Sequence, residues 1–143
     1  MNKHPISPAA HGCLDYLFGL VNMAGPSALR LHPAASVPVM AFGLAQIVLN
    51  AVTDQPYAIR RNVSLATHRK VEKWSGPVAL GATLLLGGWT CPRTRAFLAV
   101  QTLAALGLYH GTDWNATADA GYPSPHHIPD DMARFETPLS ELP

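Results

Sequence analysis

The sequence predicts an all-α fold: an integral membrane four-helix bundle made of two tandem helical-hairpin repeats. Three observations lead to this prediction, namely the scarcity of charge, the division of the chain into four apolar segments, and an internal repeat. Only 13% of the 143 residues are charged, whereas 48% are hydrophobic, and an ordinary soluble domain has about 25% charged residues. This composition excludes a disordered chain. The formal net charge of +1 provides no basic surface for nucleic acid.

Four apolar segments, separated by the few charged residues, are the predicted membrane helices. They cover about Leu14–Leu29, Val37–Val52, Ser75–Trp89 and Ala96–Tyr109. Each has about 14 to 16 residues in its most apolar part, and flanking residues extend it toward the ~20 that cross a hydrocarbon layer of ~30 Å. A soluble four-helix bundle would need a charged face on each helix, and residues 42–49 and 80–86 have none. The lipid bilayer is therefore the expected partner.

The two halves of the chain repeat one pattern of polar residues. Equivalent residues are His11 and His68, Asp15 and Glu72, Thr53 and Thr112, and Asp54 and Asp113. The first two pairs are 57 residues apart and the last two pairs 59. Repeat one covers about residues 7–56 and repeat two about residues 64–114, so the predicted transmembrane domain comprises residues 1–114. Because two helices separate equivalent positions, the hairpins share one orientation and are related by an axis along the membrane normal.

The repeat resembles a known family of membrane proteins. The motif His11-Gly-Cys-Leu-Asp15-Tyr-Leu-Phe-Gly19, with Pro26 fifteen positions after the histidine, is similar to the repeat unit of the SPW-repeat family of small bacterial four-span membrane proteins. The resemblance covers about residues 7–114 and implies a two-repeat, four-helix membrane fold without an assigned activity. The Ser-Pro-Trp tripeptide itself is absent, since Gly25-Pro26-Ser27 stands in the first copy and Thr83 replaces the proline in the second.

Basic residues predict the orientation of the four helices. One side of the bundle would hold the N-terminus, the loop 54–73 and the C-terminal tail, with Lys3, Arg60, Arg61, Arg69, Lys70, Lys73 and Arg134. The other side would hold only Arg30, Arg93 and Arg95. Because basic residues concentrate in cytoplasmic loops, we expect a multi-pass protein of the cell membrane with both termini in the cytoplasm. Residues 115–143 are polar and proline-rich and are expected to form a cytoplasmic tail.

Seven titratable residues are expected to meet at the cytoplasmic end of the bundle. They are His11, Asp15, Asp54, His68, Glu72, His110 and Asp113. In each repeat a histidine is followed four residues later by a carboxylate, which places both side chains on one face of a helix. An isolated charge in lipid costs at least about 2.5 kcal/mol. We therefore expect these groups to face the interior of the bundle and to pair there.

The sequence leaves two interpretations of these residues open. In the first, each histidine bonds a carboxylate of a neighbouring helix and the residues have a structural role, as polar pairs do between membrane helices. In the second, the seven residues are candidate metal ligands, because carboxylates and histidines from four helices also form di-iron and di-manganese centres. A haem held between His11 and His68 is a related hypothesis, and either cofactor would support redox chemistry.

The sequence contains no nucleophile elbow, phosphate-binding loop, Cys-x-x-Cys zinc pair or dinucleotide-binding fingerprint, so it assigns neither a catalytic residue nor a reaction. The small size and apolar exterior would also suit a homo-oligomer or an accessory subunit of a larger membrane complex.

Overall fold

Residues 4–86 and 91–114 are described by the structure, a computed structural model. They form four α-helices: α1 (Pro8–Ala28), α2 (Pro33–Val52), α3 (Leu65–Leu85) and α4 (Pro92–Gly111). The described part of the chain contains two isolated β-bridges but no β-strand. The prediction of an all-α protein with four helices is therefore confirmed. The predicted tail at 115–143, together with Lys3, lies outside the described residues.

The starts of the helices follow from local sequence. Ser7 and Ser64 cap α1 and α3, because their hydroxyl oxygens accept hydrogen bonds from the backbone N–H groups of Ala10 and Thr67, both at 3.2 Å. Proline occupies the first turn of α1, α2 and α4, where its missing N–H leaves no helical hydrogen bond unmade. Capping and proline thus define four helix starts.

All four helices have the length of a membrane-spanning helix. They contain 21, 20, 21 and 20 residues, which at a rise of 1.5 Å per residue gives about 30 Å, the thickness of the hydrocarbon layer. Among the helices described, α2 alone is also apolar enough along its length to cross a membrane by composition. The first half of α3 contains the charged stretch 69–73, and α4 has Arg93 and Arg95 in its first turn. These charges lower the mean hydropathy of both helices.

Polar side chains lie inside the bundle and large apolar side chains lie outside. In the described part of the chain, twelve polar or charged residues are buried but only six hydrophobic ones. Nineteen large hydrophobic side chains are exposed, and the exposed fraction reaches 72% at Val37, 71% at Leu103 and 90% at Leu85. A water-soluble domain has the opposite distribution, with Val and Leu among its most buried residues.

The two helical hairpins pack differently. Helices α1 and α2 meet at Gly19 and Gly43, where a Cβ atom added to Gly43 would lie 2.7 Å from the carbonyl oxygen of Gly19. Small residues permit such close backbone approach. In α3 and α4, a Cβ atom added to Gly76, Gly81 or Gly107 would meet nothing within 4 Å. The first hairpin is therefore tightly closed, and a cavity of about 410 Å³ lies beside the looser second hairpin.

Candidate metal centre

Four of the seven predicted residues meet at one end of the bundle. His11 and Asp15 project from α1, and His68 and Glu72 project from α3. The Nε2 atom of His11 lies 3.3 Å from Asp15 Oδ2 and 3.4 Å from Glu72 Oε2. The Nε2 atom of His68 lies 3.1 Å from Asp15 Oδ2 and 3.9 Å from Glu72 Oε2. Each histidine thus contacts both carboxylates, and we call these four residues the His/carboxylate centre.

A threonine of the second hairpin fixes the ring of His11. Its Nδ1 atom lies 2.7 Å from Thr112 Oγ1, and the same hydroxyl donates its hydrogen to the carbonyl oxygen of Leu108 at 2.6 Å. A hydroxyl has one hydrogen to donate, so Thr112 Oγ1 accepts a hydrogen from Nδ1 of the ring. In the neutral imidazole this leaves Nε2 with a lone pair, directed at the carboxylates.

His68 is held in the same way by a threonine of the first hairpin. Its Nδ1 atom lies 2.7 Å from Thr53 Oγ1, which donates to the carbonyl oxygen of Leu49 at 2.7 Å. Each histidine therefore uses a threonine from the other hairpin. Hydrogen bonds of this kind, to the nitrogen that does not bind the metal, orient histidine ligands in metalloproteins.

The contacts between imidazole nitrogens and carboxylates are not hydrogen bonds. His11 Nε2, His68 Nε2, both carboxylate oxygens of Asp15 and Glu72 Oε2 are buried without a hydrogen-bond partner among the described residues. Buried polar atoms are nearly always partnered. The donor atoms of His11, Asp15 and His68 also lie within 4.8 Å of one another. These atoms lie at ion-pair distances without hydrogen-bond geometry, and they are close enough together to bind one metal ion.

The other three predicted residues lie outside the His/carboxylate centre. Asp54 is buried, with its Oδ1 atom 3.7 Å from Arg61 Nη1. His110 is exposed, and its ring packs edge-on against Tyr109 with ring centroids 5.2 Å apart. Asp113 follows the end of α4, where its backbone N–H donates a hydrogen bond to the segment before α1. The structure thus divides the predicted set into a four-residue centre and three residues around it.

Trp114 covers the His/carboxylate centre and was not among the predicted site residues. Its ring lies edge-on to His11 with centroids 4.6 Å apart, and 6.2 Å from the ring of His68. The indole N–H donates to the carbonyl oxygen of Tyr109 at 2.8 Å, and Arg69 Cζ lies 5.9 Å from the indole centroid. The sequence offers one indication of this role: Trp114 directly follows the repeated Thr-Asp pair, at the position that Gln55 occupies in the first half.

The backbone contacts beneath the centre occur twice. One isolated bridge pairs Ile6 with Thr112, and the other pairs Val63 with Thr53. In each case the residue after the threonine donates its N–H to the bridge partner, at 2.9 Å to Ile6 and 2.7 Å to Val63. The equivalent residues differ in number by 57 or 59, as the polar residues of the sequence do. Each histidine-bearing helix therefore begins beside the threonine that ends another helix.

A haem does not fit between His11 and His68. A porphyrin bound to both Nε2 atoms would have to occupy the space that separates them. The carboxylate of Asp15 already contacts both atoms, at 3.3 and 3.1 Å. The haem hypothesis is therefore not supported by the geometry, whereas a single ion between these side chains is.

Comparisons with protein-family models, with curated proteins and with solved structures found no match for this chain. The geometry of the His/carboxylate centre is therefore what supports a function.

Proposed function

We propose that this chain is a multi-pass integral membrane protein that holds one divalent transition-metal ion in the His/carboxylate centre. The metal assignment rests on the convergence of buried donor atoms from His11, Asp15, His68 and Glu72 that make no hydrogen bonds among the described residues. The two carboxylates supply two negative charges, which a divalent cation neutralises.

The contact distances suit one ion. Ligand atoms bonded to a zinc ion at about 2.0–2.1 Å in a tetrahedral arrangement lie about 3.3–3.4 Å apart. Three of the four nitrogen–oxygen contacts in the centre measure 3.1, 3.3 and 3.4 Å. Imidazole and carboxylate ligands also suit Fe²⁺ and Mn²⁺. We therefore name zinc as the expected ion within the class of divalent first-row metals.

The structural interpretation of the centre requires aligned hydrogen bonds, and the contacts at 3.1–3.4 Å have ion-pair distances without that alignment. If both histidines were protonated and paired with the carboxylates, each Nε2–H would point at a carboxylate oxygen. None of the contacts of His11 Nε2 or His68 Nε2 within the described residues has this alignment. A metal ion accounts for the position of both nitrogen atoms without such alignment.

Placement in a membrane is supported by the distribution of side chains. Exposed Leu and Val side chains on all four helices are unfavourable in water and favourable in lipid. The four helix lengths match the hydrocarbon thickness. In a bilayer the buried polar residues would lie inside the bundle, away from lipid. The excess of basic residues on the side of the centre favours a cytoplasmic location for it and for both termini.

A two-repeat architecture accounts for the duplicated contacts beneath the centre. We propose that the segments covering about residues 7–56 and 64–114 are tandem hairpins of the SPW-repeat type, and that the metal lies near the axis that relates the two hairpins. The paired bridges and the exchanged histidine–threonine hydrogen bonds support this arrangement.

Zinc titration of the chelator-treated full chain tests the metal assignment. In detergent, a chromophoric chelator should lose one equivalent of zinc to the wild-type chain, and zinc should raise the thermal unfolding temperature. The variant H68A should bind at least about tenfold more weakly, because it removes one ligand. His110→Ala, at an exposed position in α4, is the matched control and should bind as wild type. Equal zinc affinity of H68A and wild type would contradict the proposal.

A further inference from the structure

The cavity beside the second hairpin is a candidate binding site separate from the metal. Its volume of about 410 Å³ lies within the range of about 300–1,000 Å³ that small-molecule sites have. Side chains of all four helices line it, including Phe18, Phe42 and Leu80. Glu72 lines the end nearest the His/carboxylate centre.

Carboxamide side chains of the first hairpin line one side of the cavity, and small residues of the second hairpin, together with Gln101, line the other. Asn22 of α1 and Gln46 of α2 line it, and both are buried. The residues 57 and 59 positions later, Ala79 of α3 and Ala105 of α4, line it as well. The second hairpin thus has alanine at the two positions where the first has a carboxamide. These alanines leave more free space on that side of the cavity than a carboxamide side chain would.

The amide of Gln46 has no hydrogen-bond partner among the residues that the structure describes. Gln46 is only 3% exposed, and its side chain makes no hydrogen bond to another described residue. Asn22 uses its Nδ2 group to donate to the carbonyl oxygen of Phe18 at 2.9 Å, which leaves its side-chain oxygen as an acceptor. Neither amide is completely enclosed by protein, so both are accessible from the cavity that they line, where an unpartnered amide in apolar surroundings is unfavourable. A bound molecule with a hydrogen-bonding oxygen would satisfy them.

The apolar part of the cavity lining indicates the chemistry of the ligand apart from its oxygen. Phe18 and Phe42 form an edge-on pair with ring centroids 6.1 Å apart, and both line the cavity. Aromatic pairs of this kind offer ring edges and faces to a third ring. Away from the end at Glu72, Lys73 and His110, the lining contains no charged side chain. The ligand should therefore be neutral and aromatic.

We propose that the cavity binds a neutral aromatic molecule that carries a hydroxyl or carbonyl oxygen, with this oxygen hydrogen-bonded to the amide of Gln46. This proposal goes beyond the proposed metal function. Ligand binding is tested in metal-free protein, so that a failure of the cavity proposal and a failure of the metal proposal can be distinguished.

Equilibrium dialysis with two matched probes tests this proposal. 1-Naphthol carries the required oxygen and naphthalene lacks it, and empty micelles give the non-specific background. The full chain in detergent should bind one naphthol saturably. The variant Gln46→Leu should bind naphthol about two- to tenfold more weakly, the effect of one lost hydrogen bond, and should bind naphthalene as wild type does. An equal loss for both probes would contradict the role of the amide.

Filling the cavity gives a second, independent test. Ala105→Leu should remove most saturable binding of both probes, because its side chain occupies the free space. Ala99→Leu, at an exposed position of the same helix outside the cavity lining, is the control and should bind as wild type. Ala79→Leu replaces Ala105→Leu if circular dichroism shows that the latter does not fold. Absence of saturable naphthol binding to wild type, or undiminished binding to the filled variant, would overturn the proposal.

Discussion

At the scale of single residues, the orientation of two imidazole rings determines what the site can bind. Thr112 and Thr53 each accept a hydrogen from Nδ1 of a histidine and donate their own hydrogen to a helix carbonyl. The Nε2 atoms of His11 and His68 are thereby held toward the carboxylates. A threonine at the end of a helix usually has only a local role, but these two act on the site from the opposite hairpin.

Replacing Thr112 by valine should weaken metal binding without removing a ligand. Val keeps the shape of the side chain but cannot accept the hydrogen from His11 Nδ1, so the ring loses its fixed orientation. Loss of such a hydrogen bond typically reduces metal affinity about 10- to 100-fold. Thr112→Ser retains the hydroxyl and should bind zinc nearly as wild type does, in the same chelator competition. A Thr112→Val variant with wild-type affinity would show that the threonine does not position the ligand.

The sequence predicted part of the site at this scale. The spacing of four residues within each half placed His11 with Asp15 and His68 with Glu72, and these four residues meet. It could not show that Asp54 would lie beside Arg61, or that Trp114 would cover the imidazoles. Those contacts depend on how loops cross the end of the bundle, which helical periodicity does not specify.

At the scale of helices, the segments predicted from apolar composition are shorter than the helices observed. The first was expected from Leu14 and the third from Ser75, whereas α1 begins at Pro8 and α3 at Leu65. In α3 the charged stretch 69–73 ended the predicted apolar segment but does not end the helix. In α1 the added turns at 8–13 contain no Lys, Arg, Asp or Glu. Serine caps and first-turn prolines define the true starts.

The close contact between α1 and α2 makes a testable prediction about stability. Gly43→Ala would place a methyl group 2.7 Å from the carbonyl oxygen of Gly19, and backbone atoms cannot move aside easily. We expect the free energy of unfolding to fall by about 1–3 kcal/mol, measured by thermal denaturation in detergent.

The matched control for this substitution is Gly107→Ala in α4. A Cβ atom there meets nothing within 4 Å, and alanine is favoured over glycine within a helix by up to about 1 kcal/mol. The control should be as stable as wild type or more stable. If the two variants unfold at the same temperature, the tight packing of the first hairpin is not what stabilises it.

At the scale of the whole molecule, the exposed apolar side chains and the buried polar ones are the observation on which the proposed placement in a membrane rests. Composition predicted four helices, and they are present. The packing of those helices could not be predicted, because Gly43 is enclosed by α1 whereas Gly81 and Gly107 face open space. Small residues in a sequence indicate where helices can approach, but not whether a neighbour occupies that position.

The proposed orientation predicts which cysteine is reachable from outside the cell. Cys91 is the residue directly before α4, at the opposite end of that helix from Thr112, and Cys13 lies near the start of α1. The nearby backbone N–H groups of Thr94 and Arg93 favour the thiolate and hold the pKa of the Cys91 thiol below its usual value. A larger fraction of its reactive thiolate is therefore present near neutral pH.

A membrane-impermeant maleimide applied to intact cells should label Cys91 and not Cys13. Variants with a single cysteine, Cys13→Ser and Cys91→Ser, distinguish the two positions, and Cys13 should become reactive once the cells are lysed. Labelling of Cys13 in intact cells would reverse the proposed orientation and place the His/carboxylate centre outside.

The metal content of the purified full chain tests the central proposal most directly. The protein would be extracted in mild detergent without a chelator or a metal-affinity tag, supplemented with Zn²⁺, Fe²⁺ or Mn²⁺ in turn, dialysed, and measured by elemental analysis. A metal ion bound by His11, Asp15, His68 and Glu72 predicts about one ion per chain, lost in the variant H68A. A folded wild-type chain that retains none of these ions after each addition would contradict the proposal and identify the four residues as a structural polar contact between helices.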